Sequence, residues 1–397
     1  MALLGLVAAA VVSGCTSAHP RAGAGQPPPP AKAKASPGPV RRATQARALP
    51  GMPALLDPHN VYAADAAGAL RPVVRADPAL VYVPNSKSNT VEVIDQRTLK
   101  VINTFAVGHE PQHVVPSYDL GTLYVAADYV PAGGGRGTGS LTPIDPRTGR
   151  PGRPIPVEDP YNLYFTPDGK YSIVMAEARR EIIFSDPHTM KPRHVLSVPG
   201  CNGVNHADFS TDGRYFIATC EFSGRLIKVD VETQQLIATL PLAPKAMPQD
   251  IKIAPDGAVW YVADMASNGV WLINGATFAK VGFLPTGKGA HGLYPRRDAK
   301  ILYITNRDEG SISLLSFATR KIVGRWQLPA GGSPDMGGLN AAGTVLWLSG
   351  RYNSVVYAIN TTNGRLIAKI AVGNGPHGLC VYPQPGRYSL GHTGILR

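Results

Sequence analysis

"LVYVPNSKSNTVEVIDQRT", residues 80–98, decides the fold. An apolar run leads into a small polar turn, a second run of alternating apolar and polar residues follows, and a turn closes on Thr98. Period-two alternation bounded by Asn, Asp and Ser describes two antiparallel strands. The cassette returns as "YFIATCEFSGRLIKVDVET" (215–233), "VWYVADMASNGVWLINGAT" (259–277) and "ILYITNRDEGSISLLSFAT" (301–319). Its first strand aligns Tyr82, Tyr124, Ile173, Ile217, Tyr261, Tyr303, Trp347 and Tyr388, spaced by 42, 49, 44, 44, 42, 44 and 41 residues. A period in the low forties with several short strands per unit is that of a β-propeller blade. One four-stranded sheet cannot bury both its faces, and a ring of them can. No long segment carries apolar residues at helical spacing, so the chain is expected to be all-β.

The turns repeat as well. The second strand of each cassette ends at Asp95, Asp145, Asp186, Asp230, Asn274, Ser316 or Asn360. These short acceptors can bond backbone N–H groups two or three residues on, which makes them turn formers rather than paired catalytic carboxylates.

The stretch from "YVPN" through "YITN", with the downstream elements "NLYFTPDG", "HADFSTDG" and "DIKIAPDG", resembles the YVTN-type β-propeller repeat family across residues 80–390. The resemblance implies a propeller fold and leaves activity open. The family holds surface-layer and exported proteins, and related propellers include lactonases, a streptogramin lyase and haem- or copper-bearing oxidoreductases. Fold does not choose among these.

Counting strands gives an opening unit that lacks its innermost strand, six complete units, and a final pair made of an innermost strand near residue 380 and the strand at Tyr388. If that final innermost strand joins the first unit, seven four-stranded antiparallel blades form a ring closed by both ends of the chain. An eighth blade would need strands from residues 60–76, a segment too short for them. "YSLGHTGILR" (388–397) then packs as a tail.

Innermost strands begin near the axis. Their starts read "PQHVV", "PYNLY", "VNHAD", "PQDIK", "GAHGL", "PDMGG" and "GPHGL", which aligns His113, Asn162, His206, Asp250, His291, Met336 and His377. Neutral imidazoles bind first-row transition metals and a carboxylate adds charge. His113, His206, Asp250, His291 and His377 are therefore candidate ligands for a divalent metal in the central channel. Asn162 and Met336 are candidate ligand contacts. A channel lined by hydrogen-bonded imidazoles is the alternative. A second register, at the ends of the next strands, holds Ser86, Asp128, Glu177, Glu221, Met265, Arg307, Arg351 and His392. Acidic residues occupy one half and basic residues the other, which suits a zwitterionic or anionic ligand held by Glu177, Glu221 and Arg351.

Ala2 to Val12 is an apolar run of signal-peptide length, and it ends in "VSGC". That ending resembles a bacterial lipobox, which implies lipid on Cys15 and a leader spanning residues 1–15. Residues 16–50, rich in Pro and Ala with six basic and no acidic residues, read as a disordered tether. Residues 51–397 are the propeller. The net charge of +12 is half tether, and no long basic run remains elsewhere, so no nucleic-acid partner is expected. The expected setting is the outer face of the bacterial membrane, with an envelope protein or a small molecule as partner. Outside the cytoplasm Cys201 and Cys220, at the same end of one hairpin, are a candidate disulfide. Cys380 has no evident partner. Gly-rich phosphate loops, "GxSxG", "CxxCH" and "HExxH" are absent from the sequence. Two functions remain: a membrane-anchored binding module, or a metal-dependent lyase, lactonase or oxidoreductase working at the channel mouth.

Overall fold

A computed structural model describes residues 48–129 and 138–397. Cys15, the leader, nearly all of the tether and most of the glycine-rich stretch after Tyr129 lie outside the described residues.

The described residues form seven antiparallel sheets around an axis. Blade 1 combines Cys380–Tyr382 with Leu80–Asn85, Thr90–Asp95 and Lys100–Ala106. Blade 2 runs from Pro111–Pro116 through Leu123–Tyr129 and Thr138–Asp145, and its outer edge is split between Arg150–Pro151 and Ile155–Val157. Blades 3 to 7 begin at Pro160–Phe165, Val204–Phe209, Pro248–Ile253, Ala290–Pro295 and Pro334–Leu339, and each adds three strands outward. Ring closure is the pairing of Leu80, Val81 and Tyr82 with Tyr382, Val381 and Cys380. The end of the chain thus supplies the strand that the first repeat lacks.

Burial follows the distance from the axis. Inner strands such as Pro248–Ile253 are buried at every residue, and outer ones such as Lys100–Ala106 are mostly exposed. Trp260 and Trp347 are fully buried between blades. A fully buried Val, Leu, Ile or Phe stabilises the fold by roughly 1.5–3 kcal/mol, so these layers carry much of the stability. The turn acceptors act as their spacing requires. Asp95 Oδ1 accepts from the N–H groups of Thr98 (2.7 Å) and Arg97 (2.9 Å), and Asp230 and Asn274 cap their turns alike.

Cys201 and Cys220 are joined as a disulfide in blade 4, and Cys380 is a buried free thiol in blade 1. Among the described residues no helix is long and apolar enough to cross a membrane.

One end of the channel is closed. Residues 48–78 lie over the turns that leave the inner strands: Leu49 N–H donates to Asp212 O (2.8 Å) and Tyr62 Oη to Ile253 O (2.6 Å). Beneath this strap the last ten residues enter the channel. Phe165 N–H donates to Leu390 O (3.0 Å) and His392 N–H to Leu163 O (2.9 Å). Arg397, fully buried, donates to Asp208 Oδ1 at 2.7 Å. Gly391, at φ +104°, is needed here, because a Cβ would sit 2.4 Å from Leu163 O. Tyr388 and His392 therefore belong to a plug and not to a blade, which corrects the alignment that placed His392 at a strand end on the rim.

Candidate functional site

Strand pairing separates the aligned axial residues into two rings. Pro111, Pro160, Val204, Pro248, Ala290, Pro334 and Pro376 each face the end of the neighbouring strand. Counting from them, the second position holds Gln112, Tyr161, Asn205, Gln249, His291, Asp335 and His377. The third holds His113, Asn162, His206, Asp250, Gly292, Met336 and Gly378. His291 and His377 are thus one residue out of register with His113 and His206. Aligning on histidine merges the two rings, and it selects Met336 where Asp335 is the side chain beside the imidazoles.

Five imidazoles gather on the axis. Ring centroids lie 5.4 Å apart for His113 and His206, 5.2 Å for His113 and His392, and 4.9 Å for His206 and His392. His377 lies 4.9 Å from His113, and His291 6.1 Å from His377. The close approach of His113 and His377 depends on Gly378, where a Cβ would lie 2.1 Å from His113 Cδ2. Burial holds all five imidazoles below their ordinary pKa, His113 at about 4, so all five are neutral at pH 7.

The five divide into two groups. His113, His206 and His392 offer ligand atoms within 4.8 Å of one another. His113 Nδ1–H donates to Tyr161 O at 2.9 Å, which fixes its tautomer and leaves Nε2 as a lone pair. The Asn162 amide sits between His206 Nδ1 (3.3 Å) and His392 Nδ1 (3.0 Å). The Nε2 atoms of all three rings are buried without a hydrogen-bond partner. His291, Asp335 and His377 form the second group. Here Arg307 Nη1 donates to His291 Nε2 (3.1 Å) and to Asp335 Oδ1 (3.2 Å). His291 Nδ1 lies 3.0 Å from Asp335 Oδ1, too bent for a hydrogen bond, so the contact is mainly electrostatic. His377 Nδ1 meets Gln112 Oε1 at 3.1 Å, and its Nε2 faces Asp335 Oδ2 across 3.6 Å. Burial raises the Asp335 carboxyl and Arg307 opposes that rise.

Asp250 stands beside the first group, with its Oδ1 3.9 Å from His392 Nε2. Its Oδ1 is 2.7 Å from Lys252 Nζ and its Oδ2 accepts from Leu293 N–H, which ties blade 5 to blade 6. Met336 Sδ accepts from Tyr294 Oη. The sequence register placed His392 on the rim with Arg307 and Arg351, and the structure puts it on the axis because the tail enters the channel instead of forming a blade strand.

The open mouth is polarised. Glu177 and Glu221 stand at the strand ends of blades 3 and 4, and Arg307 and Arg351 at those of blades 6 and 7, across the ring. Burial and mutual repulsion raise Glu177, whose Oε1 has no partner. Asn205 Nδ2 donates to Glu221 at 2.8 Å, one residue from the Cys201–Cys220 link. Arg351 Nη1 reaches Ser86 Oγ and Gly375 O, both at 3.3 Å.

The sequence profile of YNCE-like beta-propellers matches residues 52–385. The chain belongs to this family. It is 27% identical over 190 residues to the uncharacterized YncE of Salmonella typhi, a match covering 47% of this chain and 50% of the relative. The chain thus spans about half the length of the curated relatives it matches. The periplasmic gluconolactonase PpgL of Pseudomonas aeruginosa superposes with a TM-score of 0.65 at 17% identity, over 77% of this chain and 99% of that one. A functionally unknown protein of Desulfotomaculum acetoxidans gives 0.62 at 14% identity, over 76% and 98%. At these identities the likeness is one of fold.

Proposed function

We propose that this YNCE-like propeller is an exported lipoprotein, anchored at the outer face of the bacterial membrane through Cys15, that binds a small charged molecule at its polarised channel mouth. The observation carrying the binding role is the opposition of Glu177 and Glu221 to Arg307 and Arg351 over a chamber closed at its far end. Glu177, Glu221 and Arg351 are half-buried there and Arg307 is paired with Asp335, while Glu177 Oε1 is buried with no partner, which is costly. A zwitterion satisfies both sides, and an anion satisfies the arginine side. The apolar run, "VSGC" and the Pro/Ala tether support the anchoring.

Two experiments test the reading. In cells fed labelled palmitate, the wild type takes up label and Cys15→Ala does not; equal labelling ends the anchoring claim. Thermal-shift titration with glutamate and gluconate as probes should show stabilisation that Arg351→Ala weakens by about tenfold, on the order of 1.4 kcal/mol. Identical behaviour of the variant excludes the mouth as the binding site.

A second reading is hydrolysis of a lactone, and the pair of His377 Nε2 and Asp335 Oδ2 favours it. These two groups face each other across 3.6 Å beside Arg307, a gap that a proton would cross through one water, with the guanidinium as the oxyanion partner. The fold shared with the Pseudomonas gluconolactonase makes δ-gluconolactone the first substrate to try, with acid release as the readout and His377→Ala as the control.

A further inference from the structure

The buried imidazoles of His113, His206 and His392 have no role in the reading of the mouth, and their Nε2 atoms have no hydrogen-bond partner. We infer that His113, His206 and His392 form a three-nitrogen site for a borderline transition-metal cation, with zinc as the representative ion. This inference does not rest on the ligand proposed for the mouth.

Three observations converge. The Nε2 atoms of His113, His206 and His392 are buried and unpartnered, although buried polar groups are almost always satisfied. Their ligand atoms lie within 4.8 Å of one another. A tetrahedral zinc with bonds of ~2.1 Å needs nitrogens about 3.4 Å apart, so small side-chain rotations close the shell. The rings are also held from behind. Tyr161 O fixes the His113 tautomer, and Asn162 stands between the Nδ1 atoms of the other two. Asn162 Nδ2 donates to both Nδ1 atoms while its Oδ1 accepts from Leu163 N–H (2.9 Å), so binding a metal through Nε2 takes a change of tautomer in His206 and His392. Two ligands thus come from inner strands of blades 2 and 4, and the third from the plug. Three neutral nitrogens without thiolate select zinc, copper, nickel or cobalt over magnesium and calcium. A fourth coordination position stays open for water or an anion, as in catalytic zinc sites.

The second group is disfavoured for a cation by Arg307. The guanidinium already bonds His291 Nε2 and Asp335 Oδ1, so two ligand atoms are occupied and a dication would meet a like charge. The inference is therefore one ion per chain.

The test is zinc content of the purified protein after loading and desalting, together with the visible spectrum of the cobalt(II) form. Expected are one zinc per chain, an intense tetrahedral cobalt spectrum, and binding weakened more than about 100-fold in His392→Ala and His206→Ala. His392→Gln, which keeps a polar side chain in the plug, should lose zinc while retaining the wild-type circular dichroism. His291→Ala should keep one zinc. Absence of zinc from the wild type, a weak six-coordinate cobalt spectrum, or full zinc in His392→Gln overturns the inference. So does equal loss of zinc in His291→Ala and His206→Ala.

Discussion

Two groups of three side chains share the axis, both buried and both spaced for a metal ion, and they differ in what stands beside them. The His113, His206 and His392 group has a backbone carbonyl and an amide behind it and unpartnered nitrogens in front. The His291, Asp335 and His377 group has a guanidinium in contact, with Arg307 bonded to two of its three members. Distance alone does not separate them. The neighbouring charge does: Arg307 bonds two members of the second group directly, whereas Lys252, whose charge reaches His392 and His206, is paired with Asp250, and on this ground we read the first group as the cation site.

The comparison breaks most visibly at Arg307. Arg307→Gln removes the positive charge and frees His291 Nε2 and Asp335 Oδ1. Zinc stoichiometry, read by metal analysis, should rise from one to two; if it stays at one, charge is not what separates the groups. Gly378→Ala is expected next in size. The added Cβ pushes His113 aside, and zinc affinity should fall at least tenfold by competition titration, with anion binding at the mouth changed less. Asn162→Asp sharpens the account of the first group. A carboxylate behind His206 and His392 should raise zinc affinity by about tenfold, and a decrease would mean that the two rings do not change tautomer.

Acid pH probes the first group without a substitution. Metal binds neutral imidazole, and burial lowers His113 to about 4. Its ring resonance should stay still from pH 8 to about 5 and titrate near 4; a midpoint near 6.5 would place His113 in water. The sign for stability follows. Below about pH 6.5 the unfolded chain takes up a proton that folded His113 refuses, so this group lowers stability by about 1.4 kcal/mol per pH unit down to its folded pKa. Glu177, Glu221 and Asp335, whose pKa values burial raises, act in the opposite direction.

The sequence carried the propeller, its seven blades and the closure at residues 380–382, because each rests on a period in a strongly alternating pattern. The candidate site was half legible. His113, Asn162, His206, His291 and His377 stand out by register, yet the sequence put all seven aligned positions on one ring where the structure has two rings. The proline at most strand starts is the better anchor, since it marks the pairing position while the histidine shifts from third place to second. Asp335 was hidden by that shift and Asp250 was overrated by it. His392 was misread for a different reason. It lies on a tail that the register aligned as one more strand, and no local pattern says that a tail will thread a channel to complete a ligand set begun near residue 113.

Anomalous diffraction from zinc-loaded crystals, collected on both sides of the zinc absorption edge, tests the central claim most directly. The account predicts one anomalous peak within bonding distance of His113, His206 and His392 and none between His291 and His377. A peak at Asp335, or density only at the molecular surface, would contradict it.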